Sequence, residues 1–284
     1  MSKLFQHHPR TWKENRFVYP VLSRRSKGLS IGINLNPDAA CNFDCVYCSV
    51  DRSKPPPVTE VDLKLLRAEL DDMLQLSLSG RLFEQEPFDA TPVTLRRVND
   101  VAFSGDGEPT SYPRFGEACE LVIDSLRRAE ARDIKIVVIT NATLLHRPDV
   151  RDALRHLDQH HGEIWAKLDA GTEGYYRQVE RTKVPLRRVL DNLLDAGRRR
   201  PIVVQSMFMR INDQPPSDAE IDAYLARLRE LKSQGSQIKL VQVYTVARAT
   251  AEAFVTPLEK DRIDAIAANV RDLGLAAESY PGPA

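Results

Sequence analysis

Short, β-branched apolar runs alternate with longer amphipathic ones along this chain of 284 residues. The short runs are Ile31–Asn36, Asp100–Ser104, Ile134–Thr140, Ile164–Leu168, Ile202–Met209 and Ile238–Tyr244. They are rich in Val and Ile and nearly continuous, as strands buried on both faces are. Helical patterns lie between them at Val61–Leu78, Phe115–Arg128, Pro148–Leu157, Leu186–Arg198, Ser217–Leu231 and Pro257–Asp272. In the first, Leu63, Leu66, Leu70, Met73 and Leu74 form one stripe. Ser217 with Glu220 reads as a capping box. Thr256 reads as the cap of the last helix, which Gly274 ends. Strand–helix alternation of this kind predicts an α/β fold with a parallel sheet. Six strands are too few for a complete eight-fold barrel.

The length suits one α/β unit, and no internal repeat or domain boundary is visible. Residues 31–284 therefore read as one domain behind a basic N-terminal extension, 1–30. Residues 80–98 read as an irregular insertion with Pro87 and Pro92. Pro55-Pro56-Pro57 reads as a stiff link, and the closing Tyr-Pro-Gly-Pro-Ala as a loose end.

Three cysteines fall within eight residues, in Cys41-Asn42-Phe43-Asp44-Cys45-Val46-Tyr47-Cys48. The only other cysteine, Cys119, lies in an apolar helical stretch and is expected in the core. This is no disulfide framework. The i, i+4, i+7 spacing would line a helix face, but Asn42, Asp44 and the preceding Pro37-Asp38 favour a loop. A zinc site is the second alternative, with His7 or His8 as fourth ligand, although zinc favours CxxC pairs. A four-iron cluster takes one thiolate per iron, so three thiolates leave one iron open.

Polar residues gather where the expected strands end, the position of chemistry in βα barrels. They include Gly105-Asp106-Gly107-Glu108-Pro109-Thr110 and Asn141, then Lys167 with Asp169, then Arg210 with Asn212, and Tyr244. Lys167 and Asp169 alternate with Leu168, so they point the same way. Each has a plain alternative: a tight turn, a helix cap for Asn141, rim salt bridges for Lys167, Asp169 and Arg210. Gln205, mid-strand among apolar residues, needs a hydrogen-bond partner if buried and is a candidate for a barrel lumen.

The CxxxCxxC run with Tyr47 before its last cysteine, followed by Phe103-Ser104-Gly105-Asp106-Gly107-Glu108-Pro109-Thr110, resembles the two signatures of the radical S-adenosylmethionine (SAM) superfamily. Asp106 stands where the first of two adjacent glycines is usual. Within that superfamily the chain is most similar to the group of tRNA-wyosine synthases and their relatives. The resemblance covers roughly residues 30–245. It implies an open partial (βα)6 barrel. It implies that Cys41, Cys45 and Cys48 hold a [4Fe–4S] cluster and that SAM chelates the open iron. Reductive cleavage of SAM would then start hydrogen abstraction from a substrate. On the same basis Gly105, Asp106, Gly107 and Glu108 would receive the methionine amino group of SAM. Asp169 would hold the ribose, Lys167 the carboxylate, and Tyr47 would lie near the adenine. Asn141 and Arg210 are further candidates for SAM contact.

The 40 basic and 40 acidic residues cancel, which gives no support to a large nucleic-acid footprint. Residues 1–30 nevertheless carry Lys3, Arg10, Lys13, Arg16, Arg24, Arg25 and Lys27 against Glu14, a net of +6. This arm suits either contact with phosphate or a solvated terminus. No signal-peptide pattern or membrane-length apolar run is present. The expectation is a cytoplasmic, monomeric enzyme served by a low-potential electron donor of the flavodoxin or ferredoxin type. Its substrate is a small molecule or a base in tRNA. The alternatives are a protein-directed, activase-like radical SAM enzyme and a non-catalytic iron–sulfur binding protein.

Overall fold

A computed structural model describes residues 12–53, 55–56 and 58–282. Lys3, His7, His8, Arg10, Pro57 and the last two residues of the tail lie outside the described residues. The chain divides into two compact units. Of the described residues, the first holds those within 12–41, 52–139 and 147–163, and the second those within 42–51, 140–146 and 164–282.

In the first unit, β1 (Val18–Ser23) pairs antiparallel with β2 (Gly28–Ile33), with Val18 opposite Ile33. The sequence reading missed β1, because Pro20 argues against a strand. At a sheet edge, where β1 lies, proline is tolerated. β2 ends at Ile33, short of the expected Asn36, although Asn34 N still donates to Phe17 O at 2.8 Å. Helix α1 (Leu63–Leu78) starts after Asp62, whose carboxylate accepts from the amides of Lys64 (2.8 Å) and Leu65 (3.3 Å). On its buried stripe sits Glu69, which accepts from the backbone N–H groups of Arg16, Phe17 and Val18 at 2.8, 2.9 and 3.1 Å. A carboxylate thus anchors β1 to α1. The 80–98 insertion forms three short 3₁₀ turns, and Leu82, Phe83 and Phe88 pack against Leu29.

β3 (Val98–Phe103) runs parallel to β2, with Ile31 opposite Val101. Helix α2 (Phe115–Arg128) buries Cys119 between Ala118 and Val122, as expected of a core cysteine. β4 (Lys135–Thr140), parallel to β3, and α3 (Pro148–Leu157) complete the unit.

β5 (Gly162–Lys167) leads into the second unit. Next comes α4 (Glu173–Glu180), which the sequence reading missed. Its interior Gly174 and two tyrosines give weak helix propensity. The helix forms because Thr172 caps it, accepting from Tyr175 N, and because tertiary contacts hold both ends. α5 (Leu186–Arg199) follows at the expected place. The run expected as one strand at 202–209 is two: β6 (Ile202–Met207), parallel to β5, and β7 (Met209–Ile211). At Phe208 the chain leaves β6.

Ser217 caps α6 (Asp218–Ser233) as expected, but Glu220 does not close a capping box. Its carboxylate accepts from Gly171 N (2.5 Å) and Thr172 Oγ1 (2.6 Å) instead. Gly171 has no room for a side chain, since a Cβ would lie 2.0 Å from the amide nitrogen of Tyr224 on α6. β8 (Ile238–Tyr244) is parallel to β6. β9 (Val255–Pro257) pairs antiparallel with β7 and takes Thr256 away from its expected capping role. α7 (Lys260–Asp272) therefore starts after Glu259. β10 (Ala277–Tyr280) adds parallel to β8, so Tyr280 of the expected loose end closes a strand.

Candidate active site

In the first unit the glycine segment is shaped by two asparagines just past β2. Asn34 Oδ1 accepts from the amides of Asn36 (3.0 Å) and Asp106 (3.1 Å), and its Nδ2 donates to Asp106 Oδ2 at 2.6 Å. The unusual Asp106 is thus matched, side chain and backbone, to Asn34. A Cβ on Gly107 would sit 2.0 Å from the carbonyl oxygen of Ala40, so only glycine lets residue 40 approach. Glu108 is buried, and its Oε1 accepts from Thr110 N (3.1 Å) and Thr110 Oγ1 (2.5 Å), capping the turn Pro109–Ser111. Asn36 Nδ2 donates to Ser111 Oγ at 3.2 Å. Arg52 donates to the carbonyls of Ala39 (3.0 Å) and Asp106 (3.1 Å), fixing the point where the cysteine loop rejoins this unit. Asn34, Asn36 and Arg52 went unnoticed in the sequence. The available signal was Asn-x-Asn directly after a strand.

In the second unit the loop carrying Cys45, Tyr47 and Cys48 is held along its length. Asp44 N and Val46 N donate to the carbonyls of Glu180 (3.0 Å) and Val179 (2.9 Å) at the end of α4. Cys48 O accepts from Ala251 N at 3.0 Å. Asn42, Asn141 and Thr143 form a ring of side-chain hydrogen bonds, each 2.7 Å long. Ala142, at φ 64°, turns this loop, and Asn192 of α5 donates to the carbonyls of Ala142 (2.7 Å) and Thr143 (2.9 Å). Asn141 therefore holds the cysteine loop directly.

Tyr47 Oη donates to Asp169 Oδ2 at 2.6 Å. Asp169, fully buried, also accepts from Met207 N at 2.6 Å and pairs with Lys167 at 3.2 Å. Lys167 Nζ lies 4.6 Å from the centre of the Tyr47 ring and donates to Tyr244 Oη at 2.8 Å. Lys167 and Asp169 share a side, as their alternation predicts. Burial works against a charged Lys167, yet the neighbouring Asp169, Tyr244 and Glu180 outweigh it and hold the ammonium well above its usual range.

Glu180, buried on α4, accepts from Cys45 Sγ at 2.7 Å and was not foreseen, because α4 itself was not. Burial and the nearby Glu180 charge push the Cys45 thiol up. Arg210 is engaged elsewhere: it donates to Asp213 O (3.1 and 2.9 Å) and forms an ion pair with Glu259. Gln205 finds a partner in Gln242, 2.7 Å away.

Cys41, Cys45 and Cys48 are joined in no disulfide and are half-buried, whereas Cys119 is sealed in α2. Among the described residues no three His, Cys, Asp or Glu side chains converge as ligands of one metal ion. A four-iron cluster takes one thiolate per iron, and three thiols on one short loop fit that group.

The family profile described as the radical SAM superfamily matches residues 35–220. UPF0026 proteins of Methanocaldococcus jannaschii and Helicobacter pylori (strain 26695) are each 30% identical, over 179 and 140 residues. These matches cover 62% and 49% of this chain but 46% and 39% of the relatives, so the chain spans less than half of their length. A radical SAM methyltransferase from Sphaerobacter thermophilus superposes with a TM-score of 0.59 at 15% identity, covering 92% of this chain and 68% of the other. TYW1 with a lysine–pyruvate adduct bound gives 0.51 at 16% identity, covering 95% and 80%. These likenesses show the fold, α/β of the open partial-barrel type. With the profile spanning the cysteine loop, the glycine segment and the end of β5, the chain belongs to the radical SAM superfamily.

Proposed function

We propose that the protein binds a [4Fe–4S] cluster through Cys41, Cys45 and Cys48 and cleaves SAM reductively to start hydrogen abstraction from a small molecule or a nucleobase. The observation that carries this reading lies in the second unit. Tyr47 of the cysteine motif is hydrogen-bonded to Asp169, and Lys167 is braced between Asp169 and Tyr244. The aromatic of the cluster motif and the strand-end residues assigned to SAM thus form one knot. When bound, the cluster supplies the electron that breaks a carbon–sulfur bond of SAM, giving methionine and a 5′-deoxyadenosyl radical.

This chain's residues bind and orient. Lys167, kept charged, suits the SAM carboxylate. Asp169 suits ribose hydroxyls, and Tyr47 offers an aromatic face to the adenine. In the first unit, Gly105 and Gly107 let backbone approach the amino group. Glu108 fixes the turn that follows, and Asp106 acts through Asn34. Asn141 positions the cysteine loop. Arg210, tied to Glu259 and Asp213, is assigned to the β7–β9 pair rather than to SAM. An electron donor of the flavodoxin or ferredoxin type, a cytoplasmic setting and a monomeric state complete the reading. Among the described residues no helix is long and apolar enough to cross a membrane.

Anaerobic reconstitution with iron and sulfide tests it. The expected result is about four irons per chain and 5′-deoxyadenosine formed from SAM and dithionite. Both should be lost in Cys41→Ser, Cys45→Ser and Cys48→Ser. Stable binding of zinc alone, or deoxyadenosine formation that survives these changes, would refute it.

A further inference from the structure

Polar side chains form a row across four neighbouring strands of the second unit. The register sets Lys167 of β5 beside Gln205 of β6, Gln205 beside Gln242 of β8, and Gln242 beside Glu278 of β10. Residues paired across parallel strands project to the same face, so the four share one side of the sheet. Two residues on, the next row of that face holds Met207, Tyr244 and Tyr280. Lys167 reaches forward to Tyr244, so the polar row adjoins the residues assigned to SAM.

The centre of the row is out of balance. Gln205 and Gln242 are 0% and 1% exposed, and each follows an Ile- and Val-rich start of its strand. Gln205 Nε2 donates to Gln242 Oε1, and Gln205 Oε1 has no partner among the described residues. Exchanging the oxygen and nitrogen of both amides does not cure this. The pair owns two carbonyls and two NH2 groups, and a single contact uses one of each. One acceptor and one donor remain in either assignment. Leaving the buried Gln205 carbonyl unmatched is costly, and such a group needs a stated cause. A merely structural pair would be replaced at no loss by two apolar side chains.

We propose that the Gln205–Gln242 pair is the specificity element of the substrate site and takes a ligand with a lactam or amide edge, an N–H beside a C=O. The ligand's N–H donates to the free glutamine carbonyl, and its carbonyl accepts from the free NH2. A single glutamine reads the adenine edge with the same two groups, one accepting and one donating. Bases and small heterocyclic amides both carry it. The inference rests on the radical SAM reading of the protein and narrows its substrate class.

The test uses the full-length, cluster-loaded protein with SAM present. Uridine and inosine are the lactam probes, and 3-methyluridine, whose ring N–H is capped, is the control. Binding is followed by equilibrium dialysis. Uridine should bind at least about ten-fold more tightly than 3-methyluridine, the discrimination expected of a two-bond edge contact. A shape-matched double variant, Gln205→Met with Gln242→Met, should erase that preference. Its melting midpoint should stay level or rise, because the unmatched Gln205 carbonyl is gone. Equal binding of uridine and 3-methyluridine by the unaltered protein overturns the inference, and so does a preference that survives in the double variant. The unaltered-protein comparison stands even if the variant fails to fold. Cluster spectra and deoxyadenosine release, read on the same samples, report separately on the enzyme reading. An active cluster with no lactam preference overturns only the substrate class, and a missing SAM response overturns the reading beneath it.

Discussion

The Lys167–Asp169 pair is where stability and proposed function meet, and its strength can be worked from the structure. Two unit charges 3.2 Å apart attract by about 5 kcal/mol at an effective dielectric of ~20. Desolvation takes back much of this, since the Asp169 side chain is fully buried. Lys167 keeps 16% exposure, so water partly solvates its ammonium when the partner is lost. Asp169→Asn preserves the acceptor for Met207 N but turns an NH2 towards Tyr47 Oη and Lys167 Nζ. Lys167→Met leaves a buried carboxylate without its countercharge. Each single change should cost about 3 kcal/mol, and the double variant about 2 kcal/mol less than their sum. Urea unfolding of the full-length apo-protein in a Trp12→Phe background reads this through Trp165, two residues before Lys167 on β5. The folded pKa of Lys167 is raised, so its contribution is complete below the unfolded value of about 10.4 and is lost only as pH rises through the folded one. The coupling should therefore be flat from about pH 6 to 9. A coupling under about 0.5 kcal/mol would refute the buried pair.

In the first unit, Glu69→Ala strands three backbone amides of β1 and its approach, and should cost about 3 kcal/mol in urea unfolding. A loss below about 1 kcal/mol would show that water or a rearranged chain serves them as well. Gly107→Ala forces a methyl against the Ala40 carbonyl, so a loss of about 2 kcal/mol or more is expected together with weaker SAM binding in dialysis. Normal stability and SAM affinity would contradict the close approach. Burial raises the Asp100 carboxyl despite hydrogen bonds from Ser26 and Ser30. Its protonated form is thus favoured by folding, and that contribution is lost as pH rises through the folded value. The stability of the unaltered protein minus that of Asp100→Asn should fall with rising pH above about 4 and then level off. A flat difference would contradict the assigned burial.

Much of this was legible because hydrophobic period and strand-end chemistry are local signals. Six of the parallel strands, β2, β3, β4, β5, β6 and β8, follow from Val- and Ile-rich runs, and α2 and α3 have the expected bounds. Lys167 and Asp169 read as a pair at a strand end and Tyr47 as part of the cysteine motif, and the structure brings all three into contact. What failed depended on distant partners. β1 exists because Glu69, some fifty residues on, holds its amides. Glu220 reads as half of a capping box but is drawn to Gly171 and Thr172. Helix α4 is poor in propensity and is fixed at its start by Thr172 and at its end by the cysteine loop, so Glu180 stayed hidden with it. Arg210 reads as a ligand contact from its strand-end position, and the structure adds Glu259 beside it.

The central claim is that the three-cysteine loop holds a cluster with one iron open to SAM. Its most direct test is the electron paramagnetic resonance spectrum of the anaerobically reconstituted, reduced protein, recorded with and without SAM. The account predicts a four-iron signal whose shape changes when SAM is added, with 5′-deoxyadenosine accumulating in the same sample. A four-iron signal indifferent to SAM, with no deoxyadenosine, would contradict it and leave an iron–sulfur protein without radical chemistry.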